Sequence, residues 1–279
     1  MRHNTSQESL KHKSMRRLIV RPGAIGDLIL ALPAIEALAE GYDAEVWVAP
    51  QNVPLVRCGA RVRSIAESGL DWLGIPDREP PPPVLDRLRG FDSIVSWYGT
   101  NRPEFRAAVA GLPFRFLDAM PSGGSHAADF YLRQATGCEA HAVPRIACPR
   151  RNGGFVAIHP FSGSARKNWP LERYRELARR LAWPVQWFAG PEEELEGAVR
   201  IADLYELACR LACARLYIGN DSGITHLAAA VGTPVVALFG PTDPAVWGPR
   251  GERVEIVRRE PLASLPVEEV LTGTRRISG

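Results

Sequence analysis

The chain has 279 residues, is 46% hydrophobic, and sets 34 lysines and arginines against 31 aspartates and glutamates, a formal net charge of +3. That is enough apolar material for two domains with a core each, and too even a charge balance to demand a nucleic-acid partner, although anionic substrates suit it. Five cysteines (Cys58, Cys138, Cys148, Cys209, Cys213) form no C-x-x-C pair and no metal-ligand spacing with histidines, so they read as reduced thiols of a cytoplasmic protein.

Residues 1–14, MRHNTSQESLKHKS, are polar and lack the apolar core of a signal peptide, so they read as a disordered tail. From Met15 onward, short β-branched runs alternate with longer helical patterns. Strands are predicted in RRLIVRP (16–22), AEVWVAP (44–50), VRSIA (62–66) and FDSIVSWYG (91–99) of the first half. The second half repeats the alternation in FVAIHPFS (155–162), PVQWFAG (184–190), RLYIGND (215–221), PVVALFG (234–240) and VEIVRR (254–259). Strands separated by helices imply β-α-β units, hence two doubly wound parallel sheets and an α/β fold. Pro80 to Pro83 predict an extended loop leading into a helix. Residues 137–154 mix Pro, Gly and charge without periodicity and form the expected linker, which divides domains at 15–148 and 149–279. No run reaches the roughly eighteen apolar residues that a transmembrane helix needs, so any membrane association is expected to be peripheral.

Chemistry is expected first at GAIGDLILALPAIEAL, where a strand turns through Gly23 and Gly26 into a helix with Asp27 near its start. Such a turn lets a ligand approach backbone N–H groups at a helix N-terminus; Asp27, taken alone, reads first as a cap of that helix. Only G-x-x-G is present, so the dinucleotide fingerprint is not met. Pro33, inside the helical pattern, predicts a kink. The second place is SARKNWP (164–170). Only Lys11, Lys13 and Lys167 are lysines, the other 31 of the 34 being arginine, so Lys167 reads either as chance or as a position where a compact ammonium serves better than a planar fork. Ser162, Gly163 and Ser164 precede it in a small-residue loop suited to an anion. The third is GNDSGITHLAAAVGTPVVALFGPTDP (219–244). A strand ends at Asp221 and a helix begins at Ser222 or Gly223, with His226 in its first turn, an arrangement suited to a phosphate or to plain packing of the histidine.

Taken together and in order, these three stretches resemble the lipopolysaccharide heptosyltransferases, glycosyltransferase family 9. The resemblance spans residues 15 to about 260 and is sharpest in the third stretch, while the acceptor half is shorter than in typical members. It implies a GT-B fold, two Rossmann-like domains facing across a cleft, with the acceptor on the first and the nucleotide sugar on the second. It also implies that the terminal helix, in LPVEEVLTGTRR, returns to the first domain. Asp27 then matches the family's general base, and the Lys-x-Trp-Pro pattern of Lys167, Trp169 and Pro170 places Lys167 on the leaving diphosphate.

Asp221, Ser222, Gly223 and His226 would join Ser162, Gly163 and Ser164 around the donor, and Glu193, with Glu192 and Glu194 as rivals, would bind its ribose. Gly26, Arg57, Arg61 and Arg102, and with them Arg63, fall on the acceptor side, where arginines would meet an anionic glycan or glycolipid, although each arginine taken singly reads first as plain surface charge. The implied reaction is inverting transfer of heptose from ADP-heptose to a lipopolysaccharide core, at the cytoplasmic face of the inner membrane. No D-x-D pair is present, so neither a metal nor another cofactor is expected. The alternatives are a GT-B transferase using another nucleotide sugar for natural-product or surface-glycan assembly, and a sugar-nucleotide epimerase of the same architecture, which needs further acid/base carboxylates facing the sugar.

Overall fold

The computed structural model describes residues 14–76, 82–149 and 153–278. The expected tail, apart from Ser14, lies outside these residues, as do Pro80, Pro81 and part of the expected linker. In the first domain the chain runs β1 (Arg16–Arg21), α1 (Ile25–Ala39), β2 (Asp43–Val48), β3 (Arg61–Ser64), α2 (Pro82–Arg89), β4 (Ser93–Ser96), α3 (Pro103–Ala108), β5 (Phe114–Phe116) and α4 (Ala127–Thr136). The second domain follows with β6 (Val156–His159), α5 (Leu171–Arg180), β7 (Val185–Trp187), α6 (Leu204–Leu211), β8 (Leu216–Asn220), α7 (Gly223–Ala230), β9 (Val235–Phe239), α8 (Pro244–Trp247), β10 (Val254–Arg258) and α9 (Val267–Ser278). Each sheet has five strands, ordered β3-β2-β1-β4-β5 and β10-β9-β8-β6-β7, and the strand pairs are parallel.

The nine strands expected from apolar runs are present. The strand β5, Phe-Arg-Phe, was not foreseen because three residues show no alternation; stacked Phe114 and Phe116 against Phe105 hold it in place. Pro82 and Pro83, expected in an extended loop, instead open α2, where first-turn N–H groups have no helical acceptor and proline is tolerated. The helix α1 runs unbroken from Ile25 to Ala39 with Pro33 inside it. It is buried on nearly every side, as an apolar helix between layers must be.

The terminal helix does not return to the first domain. Val267, Val270, Leu271 and Ile277 of α9 join Trp169, Tyr174 and the outer face of the second sheet in one apolar cluster. Ion pairs from Arg180 to Glu268 at 2.7 Å and from Arg276 to Glu255 at 2.9 Å fasten its polar edge to the same domain. Apolar burial on β9 and β10 supplies the larger part of this docking, since exposed ion pairs contribute little.

The inner faces of both sheets share a single apolar cluster through α1, α4, α6 and α7. Here the two domains meet at the N-termini of α1 and α7, and the meeting requires glycine. A Cβ on Gly223 would stand 2.7 Å from Ile25 Cβ, and one on Gly26 would stand 3.2 Å from His226 Cδ2. Arg250 adds a bidentate ion pair to Asp129 of α4 at 2.5 and 2.6 Å, and His126 Nε2 donates to the Gly248 carbonyl at 2.9 Å.

Gly223→Ala should therefore lower stability by about 1–3 kcal/mol, the usual effect of overpacking. Gly111→Ala, at an exposed site with open space around the new methyl, should leave the thermal midpoint close to wild type. Equal midpoints for the two variants in a thermal melt would contradict the packing described.

Candidate active site

In open α/β sheets ligands gather beyond the strands' carboxyl ends, where successive crossovers diverge. In the first sheet that point lies between β1 and β4, in the second between β6 and β8. After β1 the chain turns through Pro22 and Gly23, the latter at φ 126°, and enters α1. Asp27 sits in the first turn, where its Oδ2 accepts the Ala24 N–H at 3.1 Å. A side chain on Gly23 would meet that carboxylate at 3.2 Å, and Asn52, fully buried, donates to the Gly23 carbonyl at 3.1 Å. Asp27 thus does cap its helix, yet its carboxylate keeps 38% exposure.

On the second domain, Asn220 at the end of β8 organises the loops. Its Nδ2 donates to the Pro160 carbonyl at 2.7 Å, while its Oδ1 accepts from Trp169 N at 3.1 Å and from the Tyr174 hydroxyl at 2.8 Å. That fixes the loop after β6 against the start of α7. Lys167 projects from a short turn in this loop, and its Nζ donates to Asp221 Oδ2 at 2.7 Å. The carboxylate of Asp221 is nearly buried, so the pair holds the ammonium in one place.

A cleft of about 540 Å³ lies between these edges. The first domain lines it with Gly26 and Asp27, together with Ala24, Leu30 and Met120; the second does so with Gly163, Ser164, Lys167, Asp221, Ser222, Gly223 and His226, together with Thr242 and Trp247. Nine of the residues singled out in the sequence therefore converge. Ser222 stands at the N-cap of α7 with no side-chain cap bond, and with Gly223 it brings that helix start, where first-turn N–H groups lack helical acceptors, to the wall of the cleft.

Other residues singled out in the sequence lie outside the lining of the cleft. Ser162 does not line the cleft; its hydroxyl bonds Ser164 O and Asn168 Oδ1 at 2.9 and 2.7 Å and shapes the loop from within. Arg61, paired with Asp43 at 3.1 Å, begins β3 and so lies at the amino edge of the first sheet, the end away from the site; Arg63 is held by Glu45 at 3.0 Å. Arg57 lies over the Tyr205 ring of α6, 4.0 Å from its centroid, and Arg102 donates to the Tyr98 hydroxyl at 2.5 Å. The partners of Arg57, Arg61 and Arg63 lie eighteen or more residues away, which left these arginines looking free, whereas Arg102 meets a tyrosine four residues before it.

Glu193 is set off from the cleft, at the carboxyl edge beside β6. Its Oε2 accepts Gly190 N–H at 2.6 Å and faces His159 Nε2 at 3.0 Å, whereas Glu192 and Glu194 are exposed. Burial pushes the Glu193 carboxyl up, but the bonds from His159 and Gly190 outweigh it and hold its pKa below the ordinary value. Of the three glutamates, Glu193 is the one in a fixed pose. Among the described residues no three His, Cys, Asp or Glu are grouped to hold a metal ion.

Two buried polar residues at the site escaped the sequence reading. Asn220 is one and Arg21, the last residue of β1, is the other. A polar residue ending an otherwise apolar strand was the available signal in both cases.

Two Rossmann-like sheets with their carboxyl edges turned to a common cleft define a GT-B protein. Solved structures share this fold. The glycosyl transferase family 9 protein of Veillonella parvula superposes with TM-score 0.75 at 16% identity over 95% of this chain and 97% of its own. E. coli heptosyltransferase WaaC with ADP does so with TM-score 0.69 at 20% identity over 94% and 99%. Residues 128–270, over half of the chain, match the family model of glycosyltransferase family 9 (heptosyltransferase), and the chain belongs to that family. Lipopolysaccharide heptosyltransferase 1 of Pseudomonas aeruginosa is 38% identical over 100 residues, a match spanning 30% of this chain and only 28% of that relative.

His226 is 6% exposed beneath Gly26, and its Nδ1 is buried without a hydrogen-bond partner among the described residues. Burial strips water from the imidazolium and, against the opposing pull of the Asp221 carboxylate, pushes the His226 pKa from 6.5 down to about 4. The folded protein thus holds this ring neutral, while the unfolded chain binds a proton below 6.5. The stabilisation from the neutral ring is complete above that value and is lost as pH falls towards about 4, by up to tenfold in the unfolding equilibrium per pH unit. Denaturant melts should show this loss, and His226→Gln should flatten it.

Proposed function

We propose that the chain is an inverting glycosyltransferase that moves a sugar, heptose from ADP-heptose, to a lipopolysaccharide core or related anionic acceptor. One observation carries the reading: Asp27 from the first domain and Lys167 from the second line a single cleft at the carboxyl edges of both sheets. The names of the relatives support the substrates, and the family's ADP and ADP-heptose-analogue complexes support the donor class.

The chemistry follows from the residues. Displacement at the anomeric carbon pushes negative charge onto the departing diphosphate, and preorganised donors at that spot lower the barrier most. The Lys167 ammonium, the N–H groups at the start of α7 and the hydroxyls of Ser164 and Ser222 supply them. Asp221 aims the ammonium and would not itself touch the diphosphate, because two anions would repel. Across the cleft Asp27 takes the acceptor hydroxyl's proton as the new bond forms on the opposite face of the sugar. Glu193, with Oε2 committed to Gly190 and His159, offers Oε1 to ribose hydroxyls.

Two carboxylates line the cleft among the described residues, and Asp221 is committed to Lys167. That favours a transferase with one base over an epimerase, which works the sugar from both sides. It also supports charge neutralisation by protein donors in place of a bridging metal. Met120, 68% exposed at the cleft, and Trp247 offer apolar surface beside the acceptor position. Such an acceptor would put the reaction at the cytoplasmic membrane face; no helix among the described residues is long and apolar enough to cross a membrane.

Asp27→Asn should leave ADP affinity near wild type and lower turnover by about 10² to 10⁴, the usual contribution of a placed base. Lys167→Ala should weaken ADP binding and slow transfer together, with Lys167→Arg restoring only part. Calorimetry with ADP beside steady-state transfer from ADP-heptose to heptose-free lipopolysaccharide separates the two patterns. An Asp27→Asn protein with normal turnover would remove the base from the mechanism. Transfer should also persist in EDTA, and a strict need for added magnesium or manganese would refute neutralisation by protein donors.

A further inference from the structure

The most unusual group near the cleft is a charge that the cleft does not display. Arg21 ends β1 with 3% exposure. Its guanidinium lies between two aromatic rings, 5.5 Å from the Trp97 centroid and 4.8 Å from that of Tyr131. Taking a guanidinium out of water is expensive unless a counter-charge and acceptors compensate. The acceptors are two carbonyls: Nη1 donates to Pro22 O at 3.0 Å and Nη2 to Asp27 O at 3.2 Å. Nε is buried with no hydrogen-bond partner among the described residues. The counter-charge is Asp27, whose Oδ1 stands 4.0 Å from Nη2, and among the described residues no other carboxylate pairs with Arg21. The Tyr131 hydroxyl donates to Ala119 O at 2.8 Å and turns its oxygen lone pairs to the guanidinium, a dipole that eases the burial without balancing the charge.

We propose that Arg21 is a positioning residue for Asp27, gripping the turn from Pro22 to Asp27 from below and holding the carboxylate towards the acceptor by its charge. The proposal rests on the reading of Asp27 as the base. The geometry divides the two carboxylate oxygens. Oδ2 is taken by the Ala24 N–H at 3.1 Å, and Oδ1 is drawn by the buried guanidinium without a direct hydrogen bond. Oδ1 therefore keeps lone pairs for a hydroxyl in the cleft.

In the transfer step the acceptor oxygen bonds to the anomeric carbon, its proton passes to Asp27, and the diphosphate leaves with the electron pair. Once protonated, Asp27 no longer balances Arg21, so the proton is released to solvent and the pair is restored. An arginine suits this place because its planar fork reaches both carbonyls at once, which an ammonium on a flexible stem cannot do. The aromatic walls lock the fork and prevent it from entering the cleft.

The competing account is that Arg21 only plugs the core, and a double-mutant cycle separates the two. Transfer from ADP-heptose to heptose-free lipopolysaccharide and ADP affinity would be measured for wild type, Arg21→Met, Arg21→Lys, Asp27→Asn and the double variant Arg21→Met with Asp27→Asn. Arg21→Met should lower kcat about 10²-fold, the effect of a loosely held catalytic group, with ADP affinity within about twofold of wild type. Arg21→Lys should recover part of kcat. The double variant should be no slower than Asp27→Asn alone, because Arg21 acts through a carboxylate that is no longer there. A double variant slowed by the full Arg21→Met factor would overturn the proposal, as would normal kcat in Arg21→Met beside a slow Asp27→Asn; either result leaves the base intact. Normal turnover in Asp27→Asn would instead defeat the base itself and the proposal with it. Should Arg21→Met fail to fold, Arg21→Lys decides: a lowered kcat with retained ADP affinity supports the role, and an unchanged kcat refutes it.

Discussion

Two helix N-termini meet head to head at Gly26 and Gly223, and the rest of the site depends on that contact. Helix starts carry partial positive charge and unpaired N–H groups, so two of them in contact repel weakly and leave donors to satisfy. The structure accepts this because the pairing aims the donors of α7 into one cleft and puts Asp27 at its rim. Glycine on both sides is what permits the approach: one methyl at Gly223 would already collide with Ile25. The shared apolar cluster beneath, running through α1, α4, α6 and α7, supplies the burial that holds the domains in this pose.

The electrostatics of the cleft follow from the same closeness. Lys167 and Arg21 each stand within 4.0 Å of one carboxylate, Asp221 and Asp27, and His226 between the domains stays neutral because burial denies it water. Each domain thus brings one paired cation to the cleft, and what distinguishes the two sides is that the Lys167 ammonium lines the cleft while the Arg21 guanidinium is buried behind Asp27. A nucleoside diphosphate would meet an ammonium and helix donors, while an incoming hydroxyl would meet a carboxylate. The family to which the chain belongs gives this polarity a chemical meaning, and the polarity itself is a property of where these side chains sit.

Around that centre the domains differ in how they close their outer faces. The second sheet is covered by α5 and α9, with Trp169 joining the cluster and donating through Nε1 to Leu265 O at 2.9 Å. Trp169 follows Lys167 by two residues, so the packing of the outer face and the placement of the ammonium are set by one short segment. The first sheet is closed on its outer face by Leu73, Val84, Leu88 and Phe105, an aromatic-rich core that also fixes the short strand β5.

What the sequence determined by itself was local. Apolar runs of strand length, the glycines before α1, the small residues before α7 and the single lysine among arginines each leave their mark within a few positions, because a strand, a turn or a helix start is made by neighbours in the chain. From these came nine strands, two doubly wound sheets and nine residues of the cleft. Tertiary structure alone decided where long side chains end. Arg61 and Arg63 turned to Asp43 and Glu45 on β2 and Arg57 to Tyr205 of the other domain; the terminal helix chose the second sheet. It also selected Glu193 from three adjacent glutamates and buried Arg21 beneath Asp27. The reason is physical: the energy of a buried polar or charged group is set by partners that folding brings from distant positions, and those partners are defined only once the sheet edges face each other.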